Sequence, residues 1–337
     1  MKKTSPETTE KETVASRGGL SAHEAHSLYA TLVEIRECEA QLNAVFAKNL
    51  FPGYIHSYMG QEACATGVCA ALRGDDWIIT THRGRGHYLA KGMALEPMMC
   101  EMFGRANGIA GGRGGEMHAA DPSVGILGGN GIVGGGIPYA TGAAYSALLE
   151  GSDRVCAVFF GEGASNQGSF HEALNLAAAW NLPLLFVCEN NLYAEMTPFI
   201  QTSRLPDIAL RAQGYGIHGE AVDGTDVVAV RDAARAAVQR ARTGLGPTLL
   251  ELKTYRYGGH FQGDPCNYRT REEEAQWKER DCVANFRARI LVENLLPLSE
   301  LQALEASAVS RVACAIELAL ASPDPEPSEA LRHVYAP

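Results

Sequence analysis

Short apolar runs alternate with amphipathic stretches over most of this chain, and the two patterns indicate different secondary structures. Runs rich in β-branched and aromatic side chains are typical of strands that are buried on both faces. Such runs predict strands at residues 77–80, 155–160, 184–188, 214–222 and 248–253. Helical spacing of apolar residues predicts helices at 61–72, 138–149, 169–180, 226–242 and 299–321, and a capping-box sequence at 21–24 begins another. Thr225 is the expected N-terminal cap of the helix at 226–242. This alternation predicts an α/β fold built on a mostly parallel sheet.

Polar residues follow two successive predicted strands in the middle of the chain. The first of these strands ends in Gly161-Glu162-Gly163, and the second ends in Glu189-Asn190-Asn191. Two parallel strands joined by one helix form a right-handed crossover, so both strands end at the same edge of the sheet. We therefore expect Glu162 and Asn191 to lie close together at that edge, where open α/β sheets bind their ligands.

Carboxylate and amide oxygens at two adjacent strand ends are suitable ligands for a hard cation such as Mg²⁺. This ion prefers octahedral oxygen coordination and usually shares its ligands with the phosphates of a substrate or cofactor. Taken alone, Gly161-Glu162-Gly163 is more often a tight turn, and Asn190-Asn191 is more often an ordinary loop. Their pairing across one strand-helix-strand unit favours a metal site that holds a diphosphate.

Two further segments carry residues suited to a phosphorylated ligand. Basic side chains alternate with glycine in Thr81–His87, and arginine binds phosphate oxygens through two N–H groups, although a solvated basic turn is the alternative. Twelve glycines lie between Gly108 and Gly136. Such a density argues against a regular helix or strand, and the apolar residues among the glycines argue against a flexible linker. We expect irregular backbone packed against a ligand.

Composition limits the classes of protein to which the chain can belong. The chain has 337 residues, of which 46% are hydrophobic, and its net charge of −10 argues against a nucleic-acid-binding surface. Nine cysteines without a C-x-x-C pair are typical of reduced thiols in a cytosolic protein. No apolar run is long enough to span a membrane, and the first residues do not resemble a signal peptide. We predict a soluble, cytoplasmic protein that binds neither nucleic acid nor membrane.

The chain is predicted to consist of three segments. Residues 1–19 are polar and poor in bulky apolar side chains, which is typical of a disordered arm. Residues 20–295 form the predicted α/β domain that holds the ligand. Residues 296–337 contain an amphipathic helix and a proline-rich end, and they form a predicted helical packing element without catalytic residues.

The segment from Gly161 to Tyr193 resembles the thiamine diphosphate (ThDP) binding motif, in which a Gly-acid-Gly turn is followed after a fixed spacer by Asn-Asn. From about Leu28 to Arg271, the chain is similar to the α subunits of two-chain 2-oxo acid dehydrogenase E1 components and acetoin dehydrogenases. The resemblance implies the doubly wound ThDP-binding fold, with helices on both faces of the sheet. The chain departs from the family pattern at Glu162, where aspartate is usual. The longer side chain implies either a displaced turn or weaker cofactor binding, because Mg²⁺ tolerates little distortion.

The resemblance also implies roles for individual residues. Glu162, Asn191 and Tyr193 would bind Mg²⁺. His260 and His56 would be catalytic, although a structural role is the alternative for His56. The implied cofactor contacts are His82, Arg83, Gly131, Val133, Gly161, Glu162, Gly163, Ala164, Asn191, Tyr193 and His260.

The function that the resemblance implies is that of an α subunit which forms an α₂β₂ heterotetramer with a β subunit. Such an enzyme uses ThDP and Mg²⁺ to cleave acetoin or to decarboxylate a 2-oxo acid, and it passes the acyl group to the lipoyl group of an acyltransferase, E2. The sequences of Thr81–His87, Gly114–Asp121 and His260–Arg269 are more similar to acetoin-type enzymes than to pyruvate enzymes. We therefore expect acetoin as the small-molecule substrate, before pyruvate or a branched 2-oxo acid.

Two functions from other classes are alternatives. A nucleotide-dependent oxidoreductase would need the spacing G-x-G-x-x-G, which residues 161–168 lack, and no P-loop sequence occurs in the chain. A non-catalytic scaffold descended from the enzyme has the unusual Glu162 as its only support.

Overall fold

A computed structural model describes residues 19–51, 53–332 and 334–335 of the protein. The eight strands of these residues are β1 (Trp77–Thr81), β2 (Ile126–Asn130), β3 (Cys156–Gly161), β4 (Leu184–Asn190), β5 (Tyr193–Ala194), β6 (Thr197–Pro198), β7 (His218–Asp223) and β8 (Thr248–Lys253). Six of them form one sheet in the order β2-β1-β3-β4-β8-β7, and all neighbouring pairs in it run parallel. β5 and β6 form a separate antiparallel hairpin.

Helices cover both faces of the sheet. They are α1 (Ala22–Phe46), α2 (Glu62–Cys69), α3 (Arg85–Lys91), α4 (Leu95–Met102), α5 (Gly136–Leu149), α6 (Gly168–Ala179), α7 (Phe199–Thr202), α8 (Val227–Arg242), α9 (Arg271–Lys278), α10 (Cys282–Val292) and α11 (Leu298–Ala321). In β3, Ala157 and Phe159 pack with residues of α1, α2 and α8, whereas Val158 and Phe160 pack with residues of α5 and α6. Because successive strand residues point to opposite faces, the sheet is buried on both sides. The predicted doubly wound α/β fold is confirmed.

The glycine-rich segment contains a strand, so the expectation that its glycine density excludes regular structure is wrong for Ile126–Asn130. β2 is an edge strand of the sheet that pairs with β1, with a register shift beside Ile78, and its Ile126 also forms an isolated antiparallel bridge with Asp121. Gly129 is required there by close packing, because a Cβ at this position would lie 2.2 Å from Tyr88 Oη and 2.4 Å from Met117 O. Glycine in a strand often marks a place where another part of the backbone approaches closely, as Met117 does here.

The sequence predicts the N-terminal caps of two helices, and the structure confirms one of them. The capping box of α1 is confirmed, since the side chain of Ser21 accepts a hydrogen bond from Glu24 N and the Glu24 carboxylate accepts one from Ser21 N. We predicted that Thr225 caps α8, but Asp226 does so, through hydrogen bonds from Val228 N and Ala229 N to its carboxylate. The hydroxyl of Thr225 instead donates to Asp223. A carboxylate one residue later replaces the cap that the sequence suggested.

The last long helix packs onto the same core as the sheet. Val312 and Ala315 of α11 belong to the cluster of buried side chains that also contains Ala157 and Phe159 of β3. The division of the chain after residue 295 stays a prediction, as does the disordered arm, which apart from Gly19 lies outside the described residues. None of the helices in the described part of the chain is long and apolar enough to cross a bilayer.

Candidate active site

A cleft of about 340 Å³ opens at the carboxyl ends of β1, β2, β3 and β4. The chain leaves β1 for β2 on one side and returns to β3 on the other side of β1. Open α/β sheets bind ligands at this kind of reversal in strand order. The cleft is lined by all eleven residues for which the sequence implies cofactor contacts: His82, Arg83, Gly131, Val133, Gly161, Glu162, Gly163, Ala164, Asn191, Tyr193 and His260. His56 does not line the cleft, but its ring packs against two histidines that do.

Glu162 and Asn191 lie together, as the crossover between β3 and β4 predicts. Gly161 pairs with Glu189 in the sheet, and Asn191 N donates a hydrogen bond of 3.2 Å to Glu162 Oε2. The Glu162 side chain is buried, and this burial raises the pKa of its carboxyl group, against the opposing effect of nearby backbone N–H groups and of two arginines. A bound cation would offset the cost of burying this negative charge.

The amide of Asn191 has a fixed orientation. Its Nδ2 donates a hydrogen bond of 3.2 Å to Gln61 Oε1, and its Oδ1 accepts one of 3.3 Å from Tyr193 N. Asn190 fixes the turn itself, because its Oδ1 accepts from Leu192 N at 3.1 Å. Leu192 has a φ of 74°, a conformation that is strained for a residue with a branched side chain. The turn that presents Asn191 is therefore stabilised by side-chain hydrogen bonds.

These residues fit the cation that the sequence implies. Glu162 and Asn191 supply one carboxylate and one amide oxygen, which are hard ligands suited to Mg²⁺. The hydroxyl of Tyr193 donates to the carboxylate of Glu273, at 2.8 and 2.9 Å from its two oxygens. The carbonyl of Tyr193, which accepts one hydrogen bond of 3.5 Å from Arg256 Nη1, is therefore the oxygen of this residue that could face a cation. No cluster of three or more His, Cys, Asp or Glu side chains suited to a metal occurs within residues 19–51, 53–332 and 334–335. The remaining ligands would have to be water or phosphate oxygens.

Two buried arginines make the cleft suitable for an anion. Arg83 donates to Ser57 O at 2.8 Å and to His260 O at 2.6 Å. Arg256 donates to Glu195 O at 2.9 Å and to Tyr268 Oη at 2.8 Å. Burial and the proximity of Arg256 lower the pKa of Arg83 to about 9. Because neither guanidinium forms an ion pair with a carboxylate of the described residues, a phosphate would supply the missing negative charge.

Three imidazole rings form a cluster beside the arginines. The ring centroid of His56 lies 4.9 Å from that of His82 and 5.3 Å from that of His260, and the last two are 5.6 Å apart. Burial, followed by the charge of Arg83, lowers the pKa of His82 to about 2 and that of His260 to about 4. His82 and His260 are therefore neutral near neutral pH, and neutral imidazoles can hold or transfer protons.

The carboxylate of Asp264 accepts three hydrogen bonds within the loop that carries His260. Asp264 Oδ2 accepts hydrogen bonds from His260 N at 2.7 Å and from Tyr268 Oη at 2.7 Å, and Asp264 Oδ1 accepts one from Cys266 N at 2.9 Å. Gly259 is needed beside it, because a Cβ there would lie 2.4 Å from Asp264 Cβ. This arrangement fixes the position of His260 at the cleft.

Sequence reasoning missed several residues that shape the site. Gln61 orients Asn191 although the two residues are distant in the chain, and no local sequence pattern predicts such a contact. Arg256 was missed despite its position in the loop just before His260, where an arginine between two tyrosines was a usable signal. Gln167 and Glu195 also line the cleft.

Comparisons with known proteins extend over nearly the whole chain. A profile of the family described as dehydrogenase E1 component matches residues 30–328. The chain is 46% identical over 322 residues to the alpha subunit of acetoin:2,6-dichlorophenolindophenol oxidoreductase from Bacillus subtilis, which covers 95% of this chain and 96% of that protein. The subunit of the same name from Cupriavidus necator is 42% identical over 310 residues, with coverages of 92% and 93%. The pyruvate dehydrogenase E1 component subunit alpha of Porphyra purpurea is 38% identical over 324 residues, with 94% of both chains covered.

Proposed function

Because this chain belongs to the family of dehydrogenase E1 components, we propose that it is the α subunit of a ThDP-dependent oxidoreductase that acts on acetoin. The observation that carries the proposal is the cleft, in which a buried carboxylate and an oriented amide share one cavity with Arg83 and Arg256, neither of which pairs with a carboxylate in the described part of the chain. That combination suits a metal-bound diphosphate. Two relatives with 46% and 42% identity are named for acetoin, which supports this substrate over pyruvate.

We propose that Glu162, Asn191 and the carbonyl of Tyr193 hold Mg²⁺, and that Arg83 binds the diphosphate with His82 beside it. The main-chain groups of Gly131 and Val133 would contact the ring system of the cofactor, and Gly161, Gly163 and Ala164 would form the adjacent wall. When bound, ThDP supplies a carbanion that adds to the substrate carbonyl and permits cleavage of a C–C bond. The protein binds, orients and protonates the reacting groups.

His260 is suited to donate a proton in the cleft. Arg83 has only N–H donors, and one of them lies 3.2 Å from His260 Nδ1, so this nitrogen acts as the acceptor. A neutral imidazole with an accepting Nδ1 carries its proton on Nε2. Together with His56, His260 would handle the protons of the reaction and of acyl transfer to the lipoyl group of E2.

A β subunit is the partner that the relatives' names imply, since they are alpha subunits. The rim of the cleft supports such a partner, because Ile132 and Val133 are 74% and 58% exposed. The adjoining helix α5 contains no charged residue, although Tyr145 and Leu149 face solvent. We propose an α₂β₂ heterotetramer that serves a lipoyl-bearing acyltransferase.

The test is an assay of the chain reconstituted with its β partner, ThDP and Mg²⁺, with an artificial electron acceptor. Acetoin, pyruvate and 2-oxoisovalerate are compared at equal concentrations. We expect the highest kcat/KM with acetoin. A higher kcat/KM with pyruvate or 2-oxoisovalerate would show that this compound, and not acetoin, is the preferred substrate. No activity with any of the three compounds would overturn the proposed function.

A further inference from the structure

A buried charged triad lies beside the histidine cluster. Arg85 is fully buried, and its Nε and Nη2 donate to the two carboxylate oxygens of Glu39 at 2.8 and 2.9 Å. Its Nη1 donates to Glu116 Oε1 at 2.5 Å. One guanidinium thus lies between two carboxylates, and the triad has an excess of one negative charge when both are ionised. Burial opposes the ionisation of Glu116, but the nearby ring of His56, the charge of Arg85 and the hydrogen bond from His56 N hold the pKa of Glu116 below its usual value.

The triad contacts the main chain of His56, and one of its carboxylate oxygens lies near the ring. Glu116 Oε1 accepts a hydrogen bond of 2.7 Å from His56 N, and Arg85 Nη2 donates one of 2.8 Å to His56 O. The second carboxylate oxygen, Oε2, lies 3.5 Å from His56 Nδ1. The main chain of His56 is therefore fixed on both sides, and a carboxylate faces one nitrogen of its ring.

This contact decides which nitrogen of His56 carries the proton. Nδ1 is buried and has no hydrogen-bond partner within 3.5 Å of suitable geometry among the described residues, so Glu116 Oε2 is the acceptor that a proton on Nδ1 would face. A proton there is favoured by the negative charge, and the neutral ring then has a bare Nε2. In His260 the arrangement is reversed, because Arg83 donates toward Nδ1. Neighbouring histidines with opposite tautomers can act as an acid and a base.

Glu116 is not needed to anchor its own segment, since another carboxylate does so. Glu101 accepts hydrogen bonds from Ala110 N and Gly112 N through Oε2, and from Gly114 N and Gly115 N through Oε1. The oxygens of Glu116 are directed to His56 and Arg85 instead. Glu101 therefore holds the segment that precedes Glu116, and the oxygens of Glu116 contact Arg85 and both the main chain and the ring side of His56.

We propose that Glu116, held by Arg85, is a positioning residue that keeps a proton on Nδ1 of His56, so that Nε2 is the nitrogen that takes up a proton during the reaction. Proton uptake gives an imidazolium whose Nδ1–H faces the carboxylate of Glu116, which stabilises the positive charge. This inference rests on the proposed function, because it requires His56 to take part in the reaction of the assembled enzyme.

The first test is solid-state NMR of the sedimented α–β complex with ¹³C,¹⁵N-labelled histidine in this chain. A His56→Gln variant assigns the His56 signals. In the unaltered complex we expect His56 protonated on Nδ1 and His260 protonated on Nε2. In Glu116→Gln, Arg85 and His56 N still need an acceptor, so the amide oxygen takes the place of Oε1 and the amide N–H₂ faces Nδ1. We expect His56 to change to the Nε2–H tautomer, whereas Glu96→Gln, on the exposed side of α4, leaves it unchanged.

A His56 already protonated on Nε2 in the unaltered complex would overturn the inference without any variant at Glu116. So would a His56 tautomer that does not respond to Glu116→Gln.

The second test is a double-mutant cycle on kcat with acetoin. General acid–base groups contribute about 10²-fold or more, so His56→Gln should lower kcat by that order, and Glu116→Gln should lower it by at least about tenfold through the wrong tautomer. In the His56→Gln background, Glu116→Gln should cause no further loss. Full activity of His56→Gln would overturn the proposed role of His56 and this inference with it. An impaired His56→Gln combined with an additive loss from Glu116→Gln would overturn the inference alone.

Discussion

At Glu162, burial raises the pKa of the carboxyl group, whereas nearby backbone N–H groups and arginines lower it. The carboxylate is buried at the end of β3, and two buried arginines contribute to holding its charge. Aspartate is usual in the ThDP motif at this position, but the longer side chain is accommodated, since its Oε2 reaches Asn191 N at 3.2 Å. Its charge has no ion-pair partner among the described residues, which leaves it available to a cation.

We predict that Glu162→Gln weakens the Mg²⁺ dependence of ThDP binding. The amide preserves the size of the side chain and can still accept from Asn191 N, but it lacks the charge that binds a hard cation. Calorimetric titration of the α–β complex with ThDP, with and without Mg²⁺, measures the effect, and we expect the affinity gained from Mg²⁺ to fall at least about tenfold. Glu172→Gln, an exposed change on α6, is the control and should bind as the unaltered protein does. Retention of the full Mg²⁺ effect in Glu162→Gln would remove this residue from the metal site.

The histidine cluster predicts a loss of stability in acid. In an unfolded chain the pKa of histidine is near 6.5, whereas burial and the neighbouring Arg83, His56, His260 and Arg256 lower the pKa of His82 to about 2. Below about pH 6.5 the unfolded state therefore binds a proton that the folded state does not, and stability falls as pH decreases from there toward the folded pKa. Above about pH 6.5 this contribution is fully present.

His82→Gln should reduce this pH dependence, because glutamine has no proton to take up. Melting temperatures of the cofactor-free α–β complex are compared between about pH 7 and pH 5 at fixed protein concentration. We expect the unaltered complex to lose more stability over this range than His82→Gln does. The control is His23→Gln, which removes an exposed imidazole on α1. Parallel curves for the unaltered complex and His82→Gln would contradict the prediction.

At the scale of one element, the loop from Gly258 to Arg269 is held by polar contacts, several of which lie within the loop. Asp264 receives hydrogen bonds from His260 N, Cys266 N and Tyr268 Oη. Arg269 closes the loop by donating to Arg256 O at 2.7 Å and to Tyr257 O at 2.8 Å. Since few bulky apolar side chains of the loop are buried, its order depends on these polar contacts.

We predict that Asp264→Ala loosens this loop without unfolding the protein. Three donors lose their acceptor, so hydrogen exchange in residues 260–268 should accelerate, and kcat should fall at least about tenfold because His260 loses its fixed position. Hydrogen exchange detected by mass spectrometry and steady-state kinetics of the α–β complex measure both effects. Asn267→Ala, an exposed change in the same loop, should alter neither. Faster exchange throughout the sheet would show instead that Asp264 supports the whole fold.

At the scale of the whole molecule, part of the surface is apolar. Tyr145 and Leu149 of α5 and Trp180 after α6 are exposed, and α5 begins three residues after Val133, which is exposed at the cleft. Exposed apolar patches next to a ligand cleft are typical of protein interfaces. This surface supports the proposed assembly with a β subunit.

We predict that Tyr145→Glu weakens assembly with the β subunit, because a charge would be buried in an apolar contact. Light scattering should show dissociation at concentrations where the unaltered complex is intact, and activity should fall with the fraction of free chain. Leu245→Glu, which is exposed in the turn after α8, is the matched control and should assemble normally. An intact complex containing Tyr145→Glu would place the β subunit elsewhere. Full activity of this chain without any partner would contradict the two-subunit enzyme altogether.

The sequence by itself determined the fold class and the central part of the site. Buried strands such as 184–188 are continuous apolar runs, because both faces of a parallel strand lie inside the protein. The convergence of Glu162 and Asn191 followed from the handedness of one crossover, which is a local rule of polypeptide geometry. The edge strand at Ile126–Asn130 was missed because its backbone pairs with a strand distant in the chain, and because glycine is required at Gly129 by Tyr88 and Met117 rather than by adjacent residues.

Only the tertiary structure decided how the site is supported. Gln61 orients Asn191, Asp264 holds His260, and Arg85 joins Glu39 to Glu116 behind His56. The geometry of each of these contacts depends on how the chain packs. The protonation of a buried histidine likewise depends on all the charges that packing brings near it. Hydrophobic periodicity is a property of consecutive residues and can be read from them. Electrostatics acts through space, so it is decided only when the chain has folded.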